Sequence, residues 1–237
     1  MRERVLHFSF LISVHDEKGG FMSDLNCLLA GLIRLFSPML FLVLWHRKTG
    51  ARFYPALIAF PICFPVFIAG AAIRSGFDPN DYIGFYIKQG ILYGILEETA
   101  KYLALRFILT DYDSRKDAVT YGIGHSALED ITGGLTCLGL IGTDRAAPDI
   151  LWVNLWTALE GIAFAAALTV LIFYGIRTDK SKIMLPAAIL LHAFSNALFG
   201  LYRGSTAVVI GIGTLATAGV CYAAYRCWQA MKNPYED

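Results

Sequence analysis

The chain has few charged residues: Asp, Glu, Lys and Arg make up only 16% of its 237 residues, and 56% are hydrophobic. Soluble domains carry roughly 25% charged residues. The formal net charge of +1 gives no basic surface of the kind that binds nucleic acid. The composition excludes an ordinary soluble domain, gives no support for a nucleic-acid partner, and indicates an integral protein of a lipid bilayer.

Several familiar motifs are also absent. HExxH and GxSxG do not occur, nor do a rhomboid-like serine–histidine pair or the paired aspartates of presenilin-type proteases. The chain therefore lacks the sequence signatures of several protease classes. The cysteines show no CxxC spacing and lie in or beside apolar segments, so we predict that they pack in the core and form neither disulfides nor a zinc site. They are Cys27, Cys63, Cys137, Cys221 and Cys227.

Seven apolar segments dominate the chain, and each approaches or exceeds the ~20 residues that a helix needs to cross a bilayer. They cover residues 25–45, 53–73, 82–109, 117–141, 150–176, 183–202 and 205–230. They predict an all-α fold, a polytopic bundle of about seven transmembrane spans forming a single domain over residues 22–237. Residues 1–21 read as an N-terminal tail, with Met22 as an alternative natural start.

Loops that are rich in lysine and arginine alternate along the chain with loops that are poor in them. Residues 46–52, 110–116 and 177–182 contain two or three lysines or arginines each, whereas the intervening loops contain one arginine each. The positive-inside rule therefore predicts that the first, third and fifth loops and the C-terminus are cytoplasmic, with the N-terminus outside. The expected location is a multi-pass position in a plasma membrane of bacterial type.

Four of the predicted spans contain polar groups near their midpoints, which fall at about residues 96, 129, 163 and 192. They are Glu97, Glu98 and Lys101 in the third span, His125, Glu129 and Asp130 in the fourth, Glu160 in the fifth, and His192 with Asn196 in the sixth. A charge at that depth costs at least ~2.5–3.5 kcal/mol on insertion scales. Because four helices place such groups at one depth, we expect them to converge on one buried site.

Helical spacing and charge refine this expectation. One of the two glutamates can pair with Lys101 on the same helix face. Five carboxylates face only Lys101 and Arg34, so a bound divalent cation would supply the missing positive charge. Structural alternatives stay open for each group: a Glu98–Lys101 salt bridge, an Arg34–Asp130 pair, a core role for His125, an interhelical bond from Glu160, or a His192–Asn196 hydrogen-bond pair.

The ordered motifs EExxK (97–101), YGxGHSAxE (121–129), WTALE (156–160) and HxxxN (192–196) resemble the YhfC family of intramembrane metalloproteases. That family is similar to the PrsW and CAAX-protease-like superfamily. The resemblance implies that Glu97 and Glu98 activate water or bind metal. It gives His125 and His192 roles as ligands or polarising groups, and Asn196 a role in stabilising the oxyanion. Supporting positions are Lys101, Glu129 and Glu160.

The resemblance implies hydrolysis of peptide bonds in a membrane protein or a lipid-anchored peptide, with zinc held by His125, His192 and Glu97. One departure favours an alternative. Gly161 follows Glu160 where relatives have arginine, and residues 161–191 contain no histidine. An inactive scaffold or chaperone of the same superfamily is therefore a second hypothesis, and a cation- or proton-coupled transporter is a third.

Overall fold

The computed structural model describes residues 20–143, 145, 147, 149–201 and 206–231, and within them every regular element is helical. The helices are α1 (Gly20–Thr49), α2 (Tyr54–Arg74), α3 (Tyr82–Leu103), α4 (Arg115–Leu138), α5 (Ile150–Arg177), α6 (Ser181–Leu201) and α7 (Thr206–Ala230), with a π-helical turn over Ala104–Ile108. The predicted all-α fold is confirmed. The proposed tail lies almost wholly outside the described residues, so its boundary at Met22 stays a prediction.

Five of these helices are long and apolar enough to cross a bilayer: α1, α2, α5, α6 and α7. The chain is therefore a multi-pass integral membrane protein. Helices α3 and α4 fall short of that criterion because they carry most of the buried charge. Helix α3 packs mainly on α6, and α4 packs on α1, α2 and α5, so protein covers these charges while leucines such as Leu57, Leu190 and Leu215 remain exposed toward the lipid.

The two charge-bearing helices begin at side-chain caps, as free backbone N–H groups at a helix start require. The Asp81 carboxylate accepts a hydrogen bond from the backbone N–H of Gly84 at 3.0 Å. The Ser114 hydroxyl accepts one from the backbone N–H of Lys116 at 3.2 Å. These caps fix where α3 and α4 start, and hence the depth at which their polar residues lie.

Glycines bring the site helices into close contact. A Cβ atom added at Gly94 of α3 would lie 2.8 Å from the carbonyl oxygen of Ile189 in α6. One added at Gly124 of α4 would lie 2.5 Å from the Cα of Ala56 in α2. Small residues of this kind let membrane helices approach closely. As a result, the polar residues after Gly94 meet α6, and the histidine after Gly124 meets α2.

Candidate active site

A cavity of about 510 Å3 lies inside the bundle between all the helices except α2. The structure brings all nine predicted site residues to its wall, together with Arg34. These nine are Glu97, Glu98, Lys101, His125, Glu129, Asp130, Glu160, His192 and Asn196. Two arrangements occur among them: side chains that are paired with other residues of the protein, and a cluster of three that could bind a cation.

Glu98 is the centre of the paired group and is completely buried. Its carboxylate accepts two hydrogen bonds from Lys101 Nζ, at 2.8 and 3.0 Å. It accepts a third from His192 Nδ1 at 2.7 Å. Because a carboxylate only accepts hydrogen bonds, His192 carries a hydrogen on Nδ1, and in the neutral ring the Nε2 lone pair is free to bind a ligand. Histidines that bind metals are commonly oriented by such a carboxylate.

Glu97 lies between the two histidines. Its Oε2 atom is 3.1 Å from His125 Nε2 and 3.9 Å from His192 Nε2. On the far side of the ring, His125 Nδ1 is 2.7 Å from the thiol sulfur of Cys63 in α2. Cys63 therefore bonds to a residue of the site as well as packing in the core, which the sequence did not indicate.

Glu97, Glu129 and His192 form a cluster that could bind a cation, since one ligand atom from each lies within 4.8 Å of the others. Glu97 and His192 are buried, whereas the Glu129 side chain is exposed at the cavity surface. Two carboxylate oxygens and one imidazole nitrogen suit zinc and similar divalent ions, and three protein ligands leave the open position typical of catalytic sites. The donor set therefore fits a metal.

This cluster differs by one residue from the ligand set that the resemblance implied. Glu129, expected to support the site, takes the third place, and His125 instead bonds to Glu97 through its Nε2 atom. The ring nitrogens of His125 are both engaged, by Glu97 and by Cys63. In this arrangement His125 orients Glu97, and its role as a metal ligand stays a prediction.

Two other carboxylates near the cavity have partners on neighbouring helices. Asp130 forms a 3.1 Å ion pair with Arg34 of α1, the pairing that the sequence left open. Arg34 also donates to the side-chain oxygen of Asn154 at 3.2 Å. Glu160 accepts a hydrogen bond from the Thr217 hydroxyl of α7. Asp130 and Glu160 thus connect neighbouring helices at the cavity wall and are not part of the cation cluster.

Sequence reasoning missed three of these contributors: Cys63, Asn154 and Thr217. Cys63 has no polar residue one turn away, and Asn154 and Thr217 have only a threonine there, Thr157 and Thr214, so none of the three marked a functional face. All five cysteines are free, as predicted. A helical pattern identifies which residues share a face of one helix, but not which residue of another helix they meet.

Comparison with known proteins bears on this geometry. Residues 71–143 match the family model of the YhfC intramembrane metalloproteases. The predicted resemblance is confirmed over this part, which contains α3 and α4 with Glu97, Glu98, His125 and Glu129. Helices α5 and α6 lie outside the match, and the wider likeness to the PrsW and CAAX group stays a prediction. No curated protein and no solved structure matches the chain.

Proposed function

We propose that the chain is an intramembrane metallopeptidase that hydrolyses peptide bonds in membrane proteins or lipid-anchored peptides. The observation that carries the proposal is the cluster of Glu97, Glu129 and His192 within 4.8 Å inside a membrane-embedded cavity. Its agreement with the YhfC family match supports the reaction class. The substrate class follows from the location of the cavity between transmembrane helices.

Glu97, Glu129 and His192 would hold a divalent cation, with zinc the first ion to test. When bound, such a cation supplies Lewis-acid activation of water and of the peptide carbonyl. Glu98 keeps the His192 proton on Nδ1, so that Nε2 presents its lone pair. Lys101 neutralises Glu98, which keeps that carboxylate out of the reaction.

Glu97 is the proposed base. Both histidines approach its Oε2 atom, which leaves Oε1 to accept a proton from the attacking water. The water oxygen bonds to the carbonyl carbon, the proton passes to Glu97, and the same carboxyl then delivers it to the leaving amine as the C–N bond breaks. His125 holds the carboxylate in place through its 3.1 Å contact.

Asn196 is the proposed donor to the oxyanion. It lines the cavity one turn after His192, and its amide N–H can donate to the carbonyl oxygen as negative charge develops there. With its proton on Nδ1, His192 has no hydrogen on Nε2 to donate. The oxyanion role therefore belongs to Asn196, as the resemblance implied.

Metal content tests the site directly. Purified wild-type protein should contain about one divalent metal ion per chain when measured by elemental mass spectrometry. We expect His192→Ala and Glu129→Ala each to lose most of it, because three ligands become two. Lys88→Gln removes a charge at an exposed ion pair on α3, the helix that carries the third ligand, Glu97, and should keep the metal. Wild-type protein without metal after supplementation with zinc, manganese or iron would favour the inactive scaffold.

Proteolysis tests the reaction. Membranes containing the wild-type chain should show new protein N-termini that are absent with Glu97→Gln, with Lys88→Gln as the matched control. Synthetic peptides spanning those sites should be cleaved by the purified protein, and Glu97→Gln should lower the rate by about 10²–10⁴-fold. Equal cleavage by the variant would contradict the role of Glu97. Ion flux into proteoliposomes without any cleavage would favour the transporter instead.

A further inference from the structure

We infer that Cys63 is a positioning residue of the site: its thiol holds His125, and His125 in turn holds Glu97. The inference rests on the proposed function for its effect on metal and catalysis. The hydrogen-bond relay itself can be tested without either. Nothing in the motifs that suggested the family includes α2, the helix on which Cys63 lies.

The geometry gives the relay one direction. His125 Nε2 is 3.1 Å from Glu97 Oε2, and a carboxylate can only accept, so the ring hydrogen lies on Nε2. Nδ1 of the neutral ring is then an acceptor. The Cys63 sulfur is 2.7 Å from that atom, and a thiol can donate. The consistent arrangement is S–H to Nδ1 and Nε2–H to the carboxylate.

The relay parallels the one on the other histidine. His192 is held at Nδ1 by Glu98, and His125 is held at Nδ1 by Cys63. In both cases Nε2 points to the same oxygen of Glu97. Loss of such an outer partner typically costs about 10–100-fold in metal affinity or activity. We therefore expect Cys63 to matter for the metal although it does not touch it.

Cys63 acts through His125 and not on the substrate. Its residue surface is only 5% exposed, and within the described chain no residue of α2 lines the cavity. A thiol that substrate cannot reach is not a nucleophile. If Cys63 served only in packing, any apolar side chain of similar size would serve equally well. If it holds His125, the position requires a hydrogen-bond donor, and substitutions can distinguish the two roles.

The test compares three variants of the full chain in detergent. Cys63→Ala removes the donor, and Cys63→Ser keeps one. Cys137→Ala is the packing control, since Cys137 is 4% exposed against 5% for Cys63 and does not line the cavity. The readouts are the ¹⁵N signals of the His125 ring in metal-free protein, assigned with His125→Gln, and the Kd for zinc measured against a competing chelator.

In wild type, we expect His125 signals of a ring protonated on Nε2. Cys63→Ala should keep the hydrogen on Nε2, where Glu97 still accepts it, but should move the Nδ1 signal to that of an acceptor without a donor and raise the zinc Kd about 10–100-fold. Cys63→Ser and Cys137→Ala should keep wild-type signals and bind zinc within a few-fold of wild type. Unchanged His125 signals in Cys63→Ala would overturn the inference. Wild-type protein that binds no zinc would overturn the proposed function instead, while the ring signals still decide the role of Cys63.

Discussion

At the scale of single residues, Lys101 is a cation with only 1% of its surface exposed. Both of its hydrogen bonds to Glu98 are short, at 2.8 and 3.0 Å. Removing one partner of a buried ion pair leaves an uncompensated charge and costs about 3–5 kcal/mol, whereas replacing both partners costs much less. The pair therefore restricts which substitutions this helix accepts.

We expect Lys101→Met to lower the free energy of unfolding by about 3–5 kcal/mol. The double variant Glu98→Gln/Lys101→Met should lose clearly less, because no lone charge stays buried. Denaturant unfolding in mixed micelles gives both values. Lys88→Gln, which breaks an exposed 3.4 Å pair with Asp81, should change stability by less than about 1 kcal/mol. A double variant as unstable as Lys101→Met would contradict this account.

At the scale of helices, the close contact of α3 with α6 brings Glu98 to His192. We expect Gly94→Leu to push the helices apart, because even a Cβ would lie 2.8 Å from the Ile189 carbonyl oxygen. The 2.7 Å bond between Glu98 and His192 should break, with a lower melting temperature and weaker zinc binding. Zinc titration and thermal unfolding in detergent measure both effects.

The matched control for that variant is Gly219→Ala in α7, where an added Cβ has no atom within 4 Å. Alanine favours a helix over glycine by roughly 0.8–1.0 kcal/mol, so this variant should be as stable as wild type or slightly more stable. Zinc binding by Gly94→Leu at the wild-type level would show that the close approach of α3 and α6 is not needed for the site.

The sequence predicted the helices well and the site in part. Apolar run length placed all seven helices. Spacings of i,i+3 and i,i+4 predicted that one of the two glutamates pairs with Lys101, and the structure shows that it is Glu98. The pairing of Arg34 with Asp130 was also anticipated. Contacts between helices that are distant in the sequence, such as that of Cys63 with His125, were not predicted. The rotation of each helix about its axis depends on its packing against other helices, which no single segment encodes.

At the scale of the whole molecule, orientation in the membrane stays a prediction from the loops. Reporter fusions test this orientation. A fluorescent protein that folds only in the cytoplasm should fluoresce when it is fused to the C-terminus or inserted within residues 46–52. A phosphatase active only outside should work within residues 74–81. The physical reason is the excess of Lys and Arg in the loops retained inside. The opposite pattern at these positions would overturn the assigned orientation.

The cavity extends toward one end of the bundle. Its wall includes Asp149, just before α5, and Thr206, the first residue of α7. Both positions adjoin loops that are poor in lysine and arginine, which the positive-inside rule places outside. With that orientation, we expect substrates to reach the mid-depth cluster from the side of the bilayer that faces away from the cytoplasm.

The volume of the cavity limits the shape of what it can admit. One turn of α-helix, with a 5.4 Å pitch and a diameter of 10–12 Å, occupies roughly 420–610 Å3, close to the cavity volume of about 510 Å3. An intact spanning helix of about 20 residues is far larger than this volume, so the proposed peptidase would take in about one turn of its substrate at a time. Recognition inside the cavity would then rest on the few residues around the cut bond, and the rest of the substrate would stay outside it.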